Sequence, residues 1–199
     1  SLVAQALSFN LQWLSPLLII AGVIAFTTGS ATRRRDVGRA VIGLGLMLLS
    51  LRLIVEASAP VRESDLVQGA FAALGAEPWL AMLLGAGLTW IAHSSLAVIL
   101  LIMSVAEIGL LPATLGLALV LGANLGGAMP AVMATWRGDP GARRLTLGNL
   151  FFRALGILVC LPLLGQIAPL FDAIDPDPGR LIVNFHTAFN LGLALVFLP

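Results

Sequence analysis

The residues of this chain that can do chemistry sit inside its apolar stretches. One group lies in the run Gly85-Ala-Gly-Leu-Thr-Trp-Ile-Ala-His-Ser-Ser-Leu96. It holds Thr89, His93, Ser94 and Ser95. A second lies in Gly122-Ala-Asn-Leu-Gly-Gly-Ala-Met-Pro130, around Asn124 and Gly126. Hydroxyl and amide oxygens are neutral ligands. Glycine admits unusual backbone angles, and Pro130 cannot extend a helical ladder unaided. A helix broken at membrane depth offers N–H ends to anions and carbonyl ends to sodium. These six residues are therefore the candidate substrate- and ion-binding set, with Ser94, Ser95 and Asn124 as candidate sodium ligands.

Each has a plainer reading. Small residues with Ser or Thr are common where membrane helices touch. Ser94 and Ser95 can bond back to their own helix. His93 is the one side chain of the first run able to carry a proton, or else a neutral imidazole bonded to a carbonyl. Asn124 can pin a helix break. A further set, Arg153, His186, Thr187 and Asn190, reads as helix-packing or secondary. Arg153 follows Arg144 by nine residues, about 13 Å of helix, and is expected to snorkel to the nearby interface; a bundle-facing anion contact is the other reading. His186 and Asn190 share a helical face. Arg52 and Glu56 are spaced for a structural i,i+4 pair, and Glu107 is expected in a turn.

The elements that carry these residues follow from composition. Of 199 residues, 59% are hydrophobic and 11% charged, and the mean hydropathy is +1.01. A soluble domain of this size could not hide so much apolar surface, so an all-α membrane protein is expected. The net charge of +1 gives no reason to expect nucleic acid. The single cysteine, Cys160, excludes a disulfide within the chain. Apolar runs long enough to approach a bilayer core cover Leu14–Thr28, Val37–Val55, Pro78–Thr135, Leu145–Leu164 and Leu181–Pro199. Starting at Ser1 without Met and ending in apolar residues, the chain is expected to be a piece of something longer.

Charge orients these runs. Arg33, Arg34, Arg35 and Arg39 follow the first, and Arg137, Arg143 and Arg144 follow the third. Basic loops prefer the cytoplasm. Residues 31–38 and 136–144 are therefore expected inside, in a multi-pass protein of the plasma (inner) membrane, with 58–70 and 166–180 outside. Between 58–70 and 136–144 the chain crosses an odd number of times, yet Pro78–Thr135 is long enough for two crossings. One crossing plus one re-entrant hairpin resolves this, and such a hairpin is tolerated only where it is sheltered or lines a watery cavity. Three regions result: 1–57 with two spanning helices, 58–77 as an extracellular linker or amphipathic segment, and 78–199 as the module holding the hairpin.

An internal echo runs through the last part. Asn149-Leu-Phe-Phe-Arg153 aligns with His186-Thr-Ala-Phe-Asn190, 37 positions on, and Phe152, Leu158, Val159, Leu161 and Pro162 recur as Phe189, Leu195, Val196, Leu198 and Pro199. Together, Thr89-Trp-Ile-Ala-His-Ser-Ser-Leu-Ala97, Gly122-Ala-Asn-Leu-Gly126 and Asn184-Phe-His-Thr-Ala-Phe-Asn190 resemble the sodium/phosphate cotransporter family. That family carries Gln-Ser-Ser-Ser in a re-entrant hairpin, then Gly-Ala-Asn-Ile-Gly-Thr-Thr, then His-Thr-x-Phe-Asn. The resemblance implies a multi-span bundle with broken helices, part of an inverted-repeat transporter in which sodium and phosphate bind between two repeats. Ser1–Leu51, with Gly43-Leu-Gly45, resembles the end of the first repeat, whose own hairpin would lie upstream of Ser1. The chain departs from the pattern at His93, Leu96, Gly127, Ala128 and Arg153, where the family has glutamine, serine, two threonines and asparagine. Fewer hydroxyls leave fewer ligands, and His93 with Arg153 points to another anion or to a proton in place of sodium.

The expected function is a secondary transporter, not an enzyme: sodium-coupled symport of inorganic phosphate or a related small anion. Sodium is the coupling ion and no other cofactor is expected. The partners are the bilayer and either the missing first-repeat segment or a second copy. A non-transporting, degenerate membrane subunit is one alternative. An intramembrane hydrolase with Ser94 or Ser95 as nucleophile and His186 as base is another, but it lacks a Gly-x-Ser-x-Gly elbow and an evident oxyanion hole.

Overall fold

The computed structural model describes residues 12–57 and 64–197. They form helices joined by short turns, with no strand among them. After a 3₁₀ turn at Gln12–Leu14 come α1 (Ser15–Thr28), α2 (Thr32–Ala57), α3 (Asp65–Ala76), α4 (Pro78–Ala92), α5 (Ser95–Glu107), α6 (Ala113–Gly126), α7 (Met129–Thr135), α8 (Pro140–Cys160), α9 (Leu164–Ile174) and α10 (Pro178–Phe197). By length and apolar character, 113–135, 140–174 and 178–197 can each cross a membrane. The first two expected spans lie in α1 and α2.

Prolines open several of these helices: Pro16, Pro78, Pro130, Pro140 and Pro162 stand in first turns, where a missing N–H costs nothing. Asp139 caps α8 by accepting from the N–H groups of Gly141 and Ala142 at 2.8 and 3.1 Å. The span expected at Leu145–Leu164 is longer, because the 3₁₀ turn Leu161–Leu163 absorbs Pro162 and the chain resumes as α9.

α1 and α2 form an antiparallel pair in backbone contact. A Cβ on Gly22 would lie 2.9 Å from the Gly38 carbonyl, and one on Gly38 would lie 2.7 Å from the Phe26 nitrogen. The buried Ser15 hydroxyl donates to the Gly45 carbonyl at 2.9 Å. At the far end Arg35 and Arg39 lie over the Phe26 ring at 5.9 and 5.3 Å. The expected Arg52–Glu56 pair forms, at 2.7 Å.

The core lies between α4, α5, α6 and α10. Here α6 is buried almost all round, from Leu115 to Asn124. It touches α4 backbone to backbone through bare Cα atoms: a Cβ on Gly85 would strike the Leu119 carbonyl, on Gly122 the Met82 carbonyl, and on Gly126 the Ala86 carbonyl. One end of the molecule gathers α3, the end of α5 and the starts of α6 and α10. There Gly75 approaches Leu115, and Gly179 faces Glu107. At the opposite end the Thr135 and Thr146 hydroxyls share a 2.7 Å hydrogen bond across the α7–α8 corner.

Within the stretch 58–77, α3 is bent 109° from α4 across Glu77; positions 58–63 lie outside the described residues. Two expectations need correction. Glu107 closes α5 as its last helical residue instead of sitting in a turn, and the turn begins at Ile108. The glycine-rich run at 122–130 does not open into two free helix ends. Gly127 and Ala128 keep near-helical angles, and 113–135 remains one span-length helix.

Candidate functional site

That mild break has a defined consequence. The Ala128 N–H bonds to the Leu125 carbonyl at 3.1 Å, a tightened i−3 bond. It therefore bypasses the carbonyl of Asn124, four residues back. A buried carbonyl without a donor is costly, and here Arg153 of α8 supplies one: Nη1 donates to the Asn124 backbone oxygen at 3.0 Å and to Asn124 Oδ1 at 3.1 Å. Asn190 of α10 donates from Nδ2 to the same Oδ1 at 2.8 Å. Asn124 itself donates from Nδ2 to the Val120 carbonyl at 3.0 Å. The side chain is 1% exposed. One amide thus ties three helices together.

The expectation that Arg153 snorkels is overturned. Its guanidinium turns into the bundle because the freed carbonyl and the amide oxygen of Asn124 give it two acceptors there. A third is Asn149 Oδ1, one turn earlier, which accepts from Nε at 3.2 Å. Asn149 was not among the expected site residues. Its signal was the echo: Asn149 and Arg153 stand where His186 and Asn190 stand 37 positions later. Both pairs are spaced i,i+4, and both second members clasp Asn124. Asn190 Nδ2 also bonds the His186 carbonyl at 2.8 Å. Thr187 donates to the Val183 carbonyl of its own helix at 2.9 Å.

The other candidate residues gather at the α4–α5 tip. His93 ends α4 in the left-handed region, φ 53°. This reverses the chain without a glycine, at some steric cost. The imidazole is exposed, with Nδ1 3.0 Å from the Ile91 carbonyl. Ser94 is extended and caps α5, its Oγ accepting from the Ala97 N–H at 3.2 Å. Ser95 packs on Gly127: a Cβ there would lie 3.3 Å from Ser95 Cβ and 3.6 Å from its hydroxyl. Trp90 Nε1, 3.2 Å from Met133 Sδ, fastens the tip to α7. Thr89 is fully buried, and its hydroxyl has no hydrogen-bond partner among the described residues. Gly126 serves as the bare contact for Ala86.

The two sequence runs therefore meet at Ser95 and Gly127, one helical turn from Asn124. A cavity of about 370 Å³ opens beside the Asn124 cluster, between α8 and α10, lined in part by Asn149, Arg153 and Asn190. No cluster of histidine, cysteine or carboxylate side chains suited to a metal occurs among the described residues. The chemistry on offer is that of amide, hydroxyl and carbonyl oxygens with one guanidinium.

The chain is 40% identical over its full 199 residues to a protein of Salmonella typhimurium that bears the provisional name inorganic phosphate export protein YjbB. It is equally similar to the Escherichia coli K12 protein of that name. It is 30% identical over 183 residues, 92% of its length, to the uncharacterized protein YqeW of Bacillus subtilis, of which the match covers 59%. The chain spans 37% of the length of the two YjbB proteins. No solved structure matches. The profile of the Na+/Pi-cotransporter family matches residues 1–56 and 63–174, and with these motifs in place the chain belongs to that family.

Proposed function

We propose that this chain forms part of a membrane transporter of inorganic phosphate, and that the Ser95–Gly127 contact with the adjoining Asn124 cluster is its half of the transport site. The observation that carries the reading is that meeting of two separate polar runs in a chain of this family. The YjbB proteins are named for phosphate export, and the family for sodium-coupled cotransport. Neutral oxygens at Ser94, Ser95 and Asn124 are of the kind sodium accepts, so sodium is the proposed coupling ion. The remaining part of the site would come from sequence outside this chain, an inverted counterpart repeat in this reading, or from a second copy.

Arm lengths support a re-entrant α4–α5 hairpin. α4 has 15 residues and α5 has 13, about 22 and 20 Å, short of the ~30 Å hydrocarbon core. The tip meets α6–α7 at Gly127, roughly 21 Å from Ala113 and 12 Å short of Thr135 at 1.5 Å per residue. The hairpin would enter and leave on the side of residues 108–112. The arginine-bearing loops near 31–38 and 136–144 would face the cytoplasm, with the protein in the plasma membrane.

The test is phosphate flux in proteoliposomes of the full-length protein, with and without a sodium gradient. Sodium-dependent flux that falls at least about tenfold in Asn124→Ala, the order of loss for an uncompensated buried polar group, at unchanged protein recovery, is the expected result. Flux driven equally well by potassium would remove sodium from the reading. Absence of flux under any gradient would leave the degenerate-subunit alternative standing.

A further inference from the structure

Arg153 holds more hydrogen-bonding capacity than its protein partners use. A guanidinium has five N–H donors. Nε serves Asn149, and Nη1 serves the two oxygens of Asn124. Both donors of Nη2 are without a protein acceptor among the described residues. No carboxylate pairs with this arginine either; the ion pairs among those residues are Arg39–Asp36, Arg52–Glu56 and Arg180–Asp175. A half-buried cation held only by neutral oxygens is costly in a membrane interior. The charge faces the 370 Å³ cavity between α8 and α10. There Asn149, exposed and accepting through Oδ1, has no acceptor for its Nδ2 donors among the described residues. Phe152 stacked on Phe197, centroids 4.3 Å apart, walls one side and lowers the local polarity, which strengthens charge interactions. Spare donors, one uncompensated positive charge and an apolar wall suit an oxyanion, and the planar fork of arginine suits phosphate oxygens.

We infer that this cavity is a phosphate-group binding site whose charge is Arg153, seated beside the Ser95–Gly127 contact and not at it. The inference rests on the transport reading in taking inorganic phosphate as the probe. An anionic lipid headgroup carries the same chemistry, and the cavity lies among exposed apolar side chains of α8 that lipid would cover. Occupancy also couples to the helix junction, since the same guanidinium holds Asn124.

The test begins with wild-type full-length protein in detergent without phospholipid. Phenylglyoxal modification of Arg153, followed by mass spectrometry, is expected to slow at least about tenfold under saturating inorganic phosphate, as for a donor engaged by a charged partner, and to be unaffected by chloride at equal ionic strength. Reconstitution in phosphatidylglycerol and in phosphatidylcholine vesicles separates the sources. Protection by phosphatidylglycerol alone that inorganic phosphate does not add to assigns the site to headgroups; protection by inorganic phosphate in both assigns it to the free anion. Phosphate binding should weaken about ten- to a hundredfold in Arg153→Gln and recover in part in Arg153→Lys. Modification indifferent to both phosphate and lipid overturns the inference, as does Arg153→Gln that lowers thermal stability while leaving phosphate affinity unchanged. Failure of this site with sodium-dependent flux intact leaves the transport reading standing. Arg153-dependent phosphate binding without flux does the reverse.

Discussion

At the scale of single residues, Asn124 is the position where losses are unequal. Removing Asn190 deletes one neutral interhelical bond, and such bonds in membranes average about 0.6 kcal/mol. Removing the Asn124 side chain takes an acceptor from both Arg153 and Asn190, and a hydrogen bond to a charged group is worth about 1.5–3 kcal/mol, several times more. Thermal unfolding in detergent should therefore show a small shift for Asn190→Ala and one several times larger for Asn124→Ala. Equal shifts would mean that Arg153 finds another acceptor and the junction is not a hub. Asn124→Asp discriminates further. A carboxylate at this position pairs with Arg153, so the fold should survive. The same carboxylate repels an oxyanion in the adjoining cavity, so phosphate affinity should fall by at least about tenfold, from a like charge at close range in a poorly screened site. Titration of that variant with phosphate checks it, and unchanged affinity would place the anion elsewhere.

At the scale of elements, the α4–α6 contact depends on three glycines with no room for a methyl group. Gly122→Ala drives a Cβ into the Met82 carbonyl, and backbone cannot rotate away as a side chain can. Overpacking costs about 1–3 kcal/mol, so this variant should lose folded protein on heating, whereas Gly87→Ala, with nothing within 4 Å, should not. Gly127 is a milder case. The family's threonine there would press on Ser95 at 3.3 Å and on the Ala123 carbonyl at 3.2 Å. Gly127→Thr should therefore be better tolerated when combined with Ser95→Gly, which removes the Cβ in contact, and a double-mutant cycle on thermal stability measures that coupling. Much of this scale was legible beforehand. Apolar runs bounded by prolines and arginines gave the helices, and Gly122-Ala-Asn marked the junction. The snorkelling of Arg153 was misjudged because distance to the nearest interface is a one-dimensional argument. What decides its direction is the i−3 bond of Ala128, which frees a carbonyl on another helix. Nothing in the spacing around Arg153 encodes that event. The echo at 149 and 186 did record that α8 and α10 carry equivalent pairs, though not that both converge on one oxygen.

At the scale of the whole molecule, the packing of the two ends fixes which turns share a side. The turn after Glu107 and the turn before α10 lie together through Gly179. The α7–α8 corner lies at the opposite end of the 23-residue helix 113–135. If the chain is threaded as proposed, cysteines introduced in a Cys160→Ser background at Pro112 and Pro176 should be labelled by an impermeant maleimide from one face of the membrane. Cysteines at Ser30 and Gly138 should be labelled from the other. The hairpin tip provides the sharper measurement. Two full crossings and a re-entrant turn place Pro112 on the same side, so loop labelling alone cannot separate them. A cysteine replacing Ala92 can. As the end of a full crossing it would react with a bulky poly(ethylene glycol) maleimide as readily as one at Gly138. Held at the depth of Gly127, it should react only with small reagents, and more slowly from either side, because roughly 12 Å of α7 still lies between that level and Thr135. Equal labelling of Ala92→Cys and Gly138→Cys by the bulky reagent would make α4 and α5 ordinary crossings, and the meeting of Ser95 with Gly127 would then be a packing contact near a surface.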